Sequence, residues 1–269
     1  MRNPAVAGQF YPASAAELRH QLDEMLQAAK GEEVQALGAV VPHAGYVYSG
    51  AVAAEVYSRL PERETYVILG PNHHGLGAAV ALSRDSWRTP LGIVETDIEL
   101  ADLLAGSIID CDELAHRQEH SIEVQIPFLQ ARFRGFRILP IAMGLQDEET
   151  AVEVGEEVAK AALRLKRSCT VIASSDLTHY ERLEIARKVD AQLIEAILNM
   201  DVPELYARVY NYNATACGYG PIAAAMTASA SLAAAAGKAA SGKLLRYATS
   251  GDVTGSYDQV VGYGAIVFA

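Results

Sequence analysis

The sequence contains little cysteine, little histidine and little positive charge. Its 269 residues include three cysteines and seven histidines, and 22 Lys and Arg stand against 33 Asp and Glu, a net charge of −11. Three scattered cysteines are too few for the disulfide framework of a small secreted domain and suit a reducing compartment. An acidic chain without a cluster of Lys and Arg repels a phosphate backbone, which argues against nucleic acid as a partner.

A long hydrophobic run is also lacking. The most apolar stretch, residues 222–236, is rich in Ala and Ser and shorter than the roughly 20 residues that a bilayer-spanning helix needs. Residues 1–11 lack the charged and apolar regions of a secretory signal. The composition, 51% apolar and 20% charged, is that of an ordinary globular protein. We therefore expect a cytoplasmic globular protein with no membrane partner.

Short β-branched runs alternate with stretches of helical spacing along the chain. This alternation predicts an α/β fold with a central sheet, mostly parallel or mixed, flanked by helices on both faces. No linker or repeat divides the chain, so we expect a single domain over residues 1–269. A capping box, Ser14 and Glu17, predicts the start of the first helix. The other predicted elements are strands at 39–41, 66–69, 78–82, 136–142, 170–174, 244–248 and 260–268, and helices at 49–60, 97–104, 119–133, 149–165, 183–199 and 222–236.

Five of the seven histidines fall in four short polar clusters, and three of these clusters directly follow a predicted strand. They contain His43, the pair His73 and His74, and His179 with Asp176. The carboxyl ends of strands in an open parallel sheet share one edge, where ligands bind, so we expect these side chains to line one cleft. Imidazole commonly binds divalent transition metals, and the pattern therefore indicates a metal or proton-transfer site.

The residues alone leave some roles open. His73 and His74 are adjacent, so on an extended segment they point in opposite directions and one of them, for which we favour His73, binds the ion. Asp176 lies three residues before His179 and could orient that imidazole for acid/base work. It could equally cap a helix that continues through Leu183.

Two further residues have alternative interpretations. His120, beside Glu119, begins a predicted helix, either as part of a plain polar first turn or as a cleft residue. Cys217 precedes the turn at residues 218–221, which leads into the small-residue helix. At a helix start its thiolate would be stabilised by the dipole, although a free cysteine is often only a small buried apolar residue.

Five motifs in order resemble the Memo family across essentially the whole chain. The ending at residues 250–268, SGDVTGSYDQVVGYGAIVF, is also similar to that family. The fold of the family is similar to that of class III extradiol ring-cleaving dioxygenases, which are single α/β domains that hold non-haem Fe(II). The motifs are PHAGY (42–46), GPNHH (70–74), EHSIEVQIPFL (119–129), SSDLTHY (174–180) and CGYGPI (217–222).

This resemblance implies a role for each motif. His43 and His73 correspond to the two histidine ligands, and Cys217 falls where the dioxygenases place a glutamate ligand. His179 corresponds to their catalytic acid/base histidine, and His120 lines the same pocket. The sulfur in place of a carboxylate makes the site softer, so that Cu or Zn would also suit it besides Fe(II). Phe10 stands where better-known Memo proteins carry tryptophan, so a pocket wall is expected to differ.

We therefore expect a metal-dependent oxidoreductase, most concretely a non-haem Fe(II) extradiol-type dioxygenase acting on a catechol-like aromatic and dioxygen. His179, positioned by Asp176, would move the proton, and Tyr46, Tyr48, His74 and His120 would shape the pocket. One alternative is a non-catalytic scaffold that binds copper or iron, or a peptide. Another is a metallohydrolase that uses a metal-bound water. A homo-oligomer is compatible with all three functions.

Overall fold

Eleven strands and nine α-helices alternate along the chain in the computed structural model, which describes residues 1–269. A 3₁₀ turn at Glu123–Gln125 precedes the fourth helix. The strands are β1 (Gly38–Val41), β2 (Thr65–Pro71), β3 (Val80–Leu82), β4 (Trp87–Thr89), β5 (Gly92–Val94), β6 (Asp110–Cys111), β7 (Arg137–Met143), β8 (Cys169–Ser174), β9 (His179–Glu181), β10 (Gly242–Thr249) and β11 (Val260–Phe268). The helices are α1 (Ala15–Ala28), α2 (Tyr46–Tyr57), α3 (Ile98–Leu104), α4 (Ile126–Arg132), α5 (Glu148–Leu165), α6 (Leu183–Leu198), α7 (Val202–Asn211), α8 (Tyr219–Ala235) and α9 (Gly251–Thr254).

Nine of the strands form one mixed sheet. Their order is β10-β11-β1-β8-β2-β7-β3-β6, and β9 pairs with β11. The four central strands β1, β8, β2 and β7 are parallel neighbours, and β11 and β3 run antiparallel on either side of them. The remaining strands, β4 and β5, form a separate antiparallel pair. The predicted α/β domain with a mixed central sheet is confirmed.

Helices cover both faces of this sheet, so alternate strand residues enter two different hydrophobic cores. On β2, Val67 and Leu69 face the core beneath α3 and α5 to α8, whereas Tyr66 and Ile68 face the core beneath α1, α2 and α4. Strands buried on both faces are continuous apolar runs, which is why they were visible in the sequence. No helix in the structure combines the length and the apolar character that crossing a bilayer requires.

Most predicted elements lie within three residues of the observed ones. The exception is the predicted helix at 119–133, of which only Ile126–Arg132 is α-helical. The reason is that two carboxylates in this segment turn inward: Glu119 accepts the backbone N–H of His73, and Glu123 accepts those of Ala5 and Val6. The short strands β4, β5, β6 and β9 and the helices α7 and α9 were not predicted.

A buried ion pair fastens the first residues of the chain to the 119–132 segment. The guanidinium of Arg2 pairs with the Glu123 carboxylate, and neither side chain is more than 4% exposed. The same carboxylate accepts hydrogen bonds from the backbone amides of Ala5 and Val6, at 2.8 and 3.1 Å, and from the Tyr11 hydroxyl at 2.5 Å. One carboxylate therefore organises most of the N-terminal segment.

Replacing Glu123 by alanine should cost about 3–5 kcal/mol of unfolding free energy, because the Arg2 charge stays buried without its partner. Urea titration of the purified protein measures this loss. The matched control is Glu157→Ala, which removes the partner of the exposed Lys160 and should change stability by less than about 0.5 kcal/mol. A loss below about 1 kcal/mol for Glu123→Ala would contradict the assigned role of the pair.

Candidate functional site

The polar residues singled out in the sequence emerge at one edge of the sheet. β1, β8 and β2 are consecutive parallel strands, so the residues that follow them leave the sheet side by side. These residues are His43 after β1, Asp176 after β8 and His73 after β2. The expectation that the three strand ends share one edge is therefore confirmed.

Three atoms with metal-binding chemistry meet at this edge. The ligand atoms of His43, His73 and Cys217 all lie within 4.8 Å of one another. The Cys217 Sγ is 3.2 Å from the His43 Nε2, and the two imidazoles meet edge to face with ring centroids 5.2 Å apart. Two imidazole nitrogens and one sulfur at such separations form a donor set that fits a divalent transition metal or Cu(I).

Hydrogen bonds determine which nitrogen of His43 is free. The Ser174 hydroxyl donates to the Ser121 carbonyl at 2.6 Å and accepts from the Gln125 amide at 2.7 Å. Because that hydroxyl proton is already used, the 3.0 Å contact between Ser174 Oγ and His43 Nδ1 is an N–H donated by the histidine. Burial, aided by the neighbouring histidines, holds the pKa of His43 well below its ordinary value. The ring is therefore neutral, and its Nε2 lone pair faces Cys217.

Glu119 orients His73 in a similar way. Its carboxylate accepts from His73 Nδ1 at 2.9 Å, from the His73 amide at 2.6 Å and from the Ser121 amide at 2.8 Å. Burial alone would raise the pKa of Glu119, but the hydrogen bond and charge of His73 and the Ser121 amide lower it well below its usual range. A carboxylate behind an imidazole is a common arrangement around metal-binding histidines. From the sequence, Glu119 was expected only as an acidic residue at a helix N-terminus, but α4 begins at Ile126, and Glu119 instead orients His73.

The surroundings of Cys217 favour the thiol over the thiolate. It lies immediately before α8, whose N-cap is Gly218. Burial, followed by the nearby Asp176 carboxyl, raises the pKa of the thiol well above its usual range. Of the two interpretations of Cys217 from the sequence, this environment favours the partly buried thiol over the dipole-stabilised thiolate. Metal binding would displace the thiol proton.

Asp176 holds the turn after β1 and does not orient His179. Its Oδ1 accepts from the backbone amides of His43 and Ala44, at 2.8 and 3.3 Å. Burial raises the pKa of this carboxyl to about 6. Asp176 is not a helix cap either, because α6 begins only at Leu183. Both roles considered for Asp176 from the sequence are therefore wrong. The short strand β9, and not a helix, follows Asp176 before α6 begins.

His179 is oriented by Thr215, a residue that the sequence reasoning did not identify. The imidazole Nδ1 donates to the Thr215 carbonyl at 2.9 Å, and the His179 amide donates to the Thr215 hydroxyl at 2.7 Å. A carbonyl can only accept, so Nδ1 carries a proton and Nε2 is the free nitrogen. No local pattern relates the two residues, because His179 begins β9 and Thr215 lies in the α7–α8 connection.

A cavity of about 680 Å³ opens over these groups. His120 lies in its wall and stacks on His73, with ring centroids 4.6 Å apart. Cys217 is not one of the lining residues, although its Sγ contacts the Nε2 of His43, which is. The lining residues are Phe10, His43, Ala44, Gly45, Tyr48, His73, His120, Asp176, His179, Tyr180, Ser250, Thr254, Ser256, Gln259, Val261 and Tyr263.

Two residues that were expected to shape the pocket do not line it. The Tyr46 ring is buried, and its hydroxyl donates to the Val124 carbonyl at 2.6 Å. His74 is exposed, and its amide donates to the Asn72 side chain at 3.2 Å. Tyr46 begins α2 and faces the core, whereas Tyr48, which was also expected in the wall, lines the cavity.

Comparison with known proteins gives consistent matches over the full chain. The family model described as "Memo-like protein" matches residues 2–267. A MEMO1 family protein of Methanococcoides burtonii is 56% identical over 268 residues, covering 99% of both chains. One of Methanosarcina mazei is 55% identical, covering 99% of this chain and 98% of its own. An uncharacterized Escherichia coli K12 protein of solved structure matches 79% of this chain and 89% of its own, with a TM-score of 0.52. Because the two sequences are only 12% identical, this match is a likeness of fold alone.

The three cysteines should differ strongly in reactivity. Cys111 is exposed, whereas burial raises the pKa of Cys169 to about 11 and that of Cys217 also far above its usual range. Iodoacetamide at pH 8, applied to chelator-treated native protein, should therefore label Cys111 more than tenfold faster than the other two, because the thiolate is the reacting form. Peptide mass spectrometry measures the order. Unfolding in urea should abolish the difference, and labelling of Cys217 as fast as Cys111 would contradict the raised pKa of the Cys217 thiol.

Proposed function

The chain belongs to the Memo family, and from that premise we propose that it is a metal-dependent oxidoreductase, most concretely a non-haem Fe(II) extradiol-type dioxygenase acting on a catechol-like aromatic. One observation carries this proposal. The donor atoms of His43, His73 and Cys217 lie within 4.8 Å of one another, beside a cavity that the His179 side chain also lines.

His43 Nε2, His73 Nε2 and Cys217 Sγ would hold the ion. Fe(II), when bound, supplies a centre at which a catechol and dioxygen can meet. Both histidines are already oriented without the metal. His43 Nδ1 donates to Ser174 and His73 Nδ1 donates to Glu119, so that Nε2 of each ring is directed to the site. Such outer hydrogen bonds fix the tautomer and the ring orientation before the metal arrives.

His179 is suited to accept the proton that a catechol hydroxyl loses. Its Nε2 is free, and the positive charge that follows protonation is shared with the Thr215 carbonyl through the Nδ1–H. His120 has a different role. Burial lowers the pKa of His120 to about 4, so it stays neutral near pH 7 and contributes a flat wall and a hydrogen bond instead of a charge.

If Ser174 and Glu119 orient the ligands, their loss should weaken metal binding without removing a donor. We expect Ser174→Ala and Glu119→Gln each to lower Fe(II) affinity about 10–100-fold, and Cys217→Ser to lower it at least as much. Anaerobic competition against a chromogenic chelator measures the affinity. Ser107→Ala is the control, because its hydroxyl contacts only the Leu104 carbonyl and the Ile109 amide and lies outside the cavity wall. Equal Fe(II) affinity in the wild type and Cys217→Ser would remove the cysteine from the ligand set.

Oxygen uptake tests the reaction itself. Anaerobically Fe(II)-loaded protein, exposed to oxygen with a panel of catechols, should consume oxygen and form ring-opened products. His179→Ala should reduce kcat about 10²–10⁴-fold while leaving Fe(II) affinity unchanged. His74→Ala should leave both unchanged, because His74 is exposed and outside the cavity wall. No uptake by the wild type, or undiminished uptake by His179→Ala, would refute this mechanism.

A second candidate is a metal-binding protein without turnover, and the sulfur donor favours it. Thiolate ligands suit Cu(I) better than the carboxylate that oxygen-activating iron sites use. This candidate is expected to bind Cu(I) tightly through Cys217 and to consume no oxygen with any catechol. Cleavage of esters or phosphate esters without oxygen would instead indicate a hydrolase.

A further inference from the structure

The cavity wall contains aromatic rings but no fixed positive charge. Four rings besides the histidines face it, and none of the sixteen lining residues is Lys or Arg. Asp176 is the only carboxyl among them. The four rings belong to Phe10, Tyr48, Tyr180 and Tyr263.

One of these rings stands at the mouth of the cavity in an unfavourable backbone conformation. Tyr180 has a φ of 59°, a left-handed value that is unfavourable for a non-glycine residue. Its side chain is 72% exposed, and its ring meets the His179 ring edge to face at 5.8 Å. The exposed ring of Tyr180 therefore lines the cavity directly beside His179.

The opposite rim is polar but uncharged. The connection between β10 and β11 contributes four side chains to the wall, all of them hydroxyls or an amide, which can donate and accept hydrogen bonds. None of them offers a charge to an anionic group. They are Ser250, Thr254, Ser256 and Gln259.

Building on the proposed function, on which this inference rests, we propose that the cavity selects uncharged aromatic diols and discriminates against rings that bear a carboxylate or phosphate. A carboxylate on the ring would be transferred from water into a cavity that holds no Lys or Arg to pair with it, and burying an unpaired charge is costly. It would also approach Asp176 in a protein of net charge −11, which adds repulsion. A hydroxyl, amide or alkyl substituent meets the rings and the polar rim without these costs.

Gln259 is the position at which this preference can be altered. It is exposed at the rim, so a substitution there leaves the core and the metal-binding atoms in place. Gln259→Arg would supply the missing cation at the mouth of the cavity, where it can pair with a carboxylate. Gln259→Met removes the amide without adding charge and is the matched control.

Binding to the metal-free protein separates this inference from the question of turnover. Isothermal titration with 4-methylcatechol and 3,4-dihydroxybenzoate should give a dissociation constant at least tenfold lower for the neutral compound. Gln259→Arg should reduce that ratio at least fivefold, mainly by tighter binding of the carboxylate, and Gln259→Met should not reduce it. Equal or tighter binding of 3,4-dihydroxybenzoate to the wild type, or no binding of 4-methylcatechol, would overturn the inference.

The two proposals can fail independently. A tenfold preference for the neutral catechol together with no oxygen uptake would retain the selectivity and reject the dioxygenase. Oxygen uptake that is faster with 3,4-dihydroxybenzoate than with 4-methylcatechol would retain the dioxygenase and reject the selectivity.

Discussion

The parallel pairing of β1, β8 and β2 is the constraint on which the site depends. Parallel strands must run in one direction, so their carboxyl ends open at a single edge, and any residue that follows them is delivered there. The register is set by burial on both faces, because a slip of one residue would exchange every side chain between the two cores. His43, Asp176 and His73 are neighbours for this reason, although 133 residues separate the first two along the chain.

A chain of buried hydrogen bonds leads from the core to the site and determines its protonation pattern. The Tyr57 hydroxyl donates to Gln125 at 2.8 Å, the Gln125 amide donates to Ser174, and Ser174 accepts from His43. Because the Gln125 side-chain oxygen accepts from Tyr57, its NH₂ group is the donor to Ser174. Because the Ser174 hydroxyl donates to Ser121, it can only accept from His43. Glu119 has the same effect on His73, because its carboxylate accepts the hydrogen bond from His73 Nδ1. The orientation of both imidazoles, each with its Nδ1 hydrogen-bonded and its Nε2 left for the site, is therefore a property of the folded core and not of the two histidines alone.

The cavity combines two environments that have different origins in the chain. Its floor comes from the strand ends and carries the nitrogen donors, whereas its rim comes from the β10–β11 connection and the N-terminal segment. Glu123 couples the two parts, since it holds the N-terminal segment that carries Phe10, and Phe10 packs on His120 with centroids 4.7 Å apart. Similarity of fold does not determine which chemistry such a site performs; the donor atoms and the charge of the wall do.

The sequence by itself determined the fold class, most strands and helices, the family and the strand ends that carry His43, His73 and Asp176. These features are local or periodic, so a short window of residues contains the signal. Only the tertiary structure decided that Thr215, and not Asp176, orients His179, that Glu119 and Ser174 select the tautomers, and that Tyr46 faces the core. It also decided that Cys217 reaches His43 across 174 residues. Such contacts depend on the order of the strands in the sheet and on the paths of the connections between them, and burial then sets the pKa of each group. The spacing of residues along the chain encodes neither the contacts nor the burial.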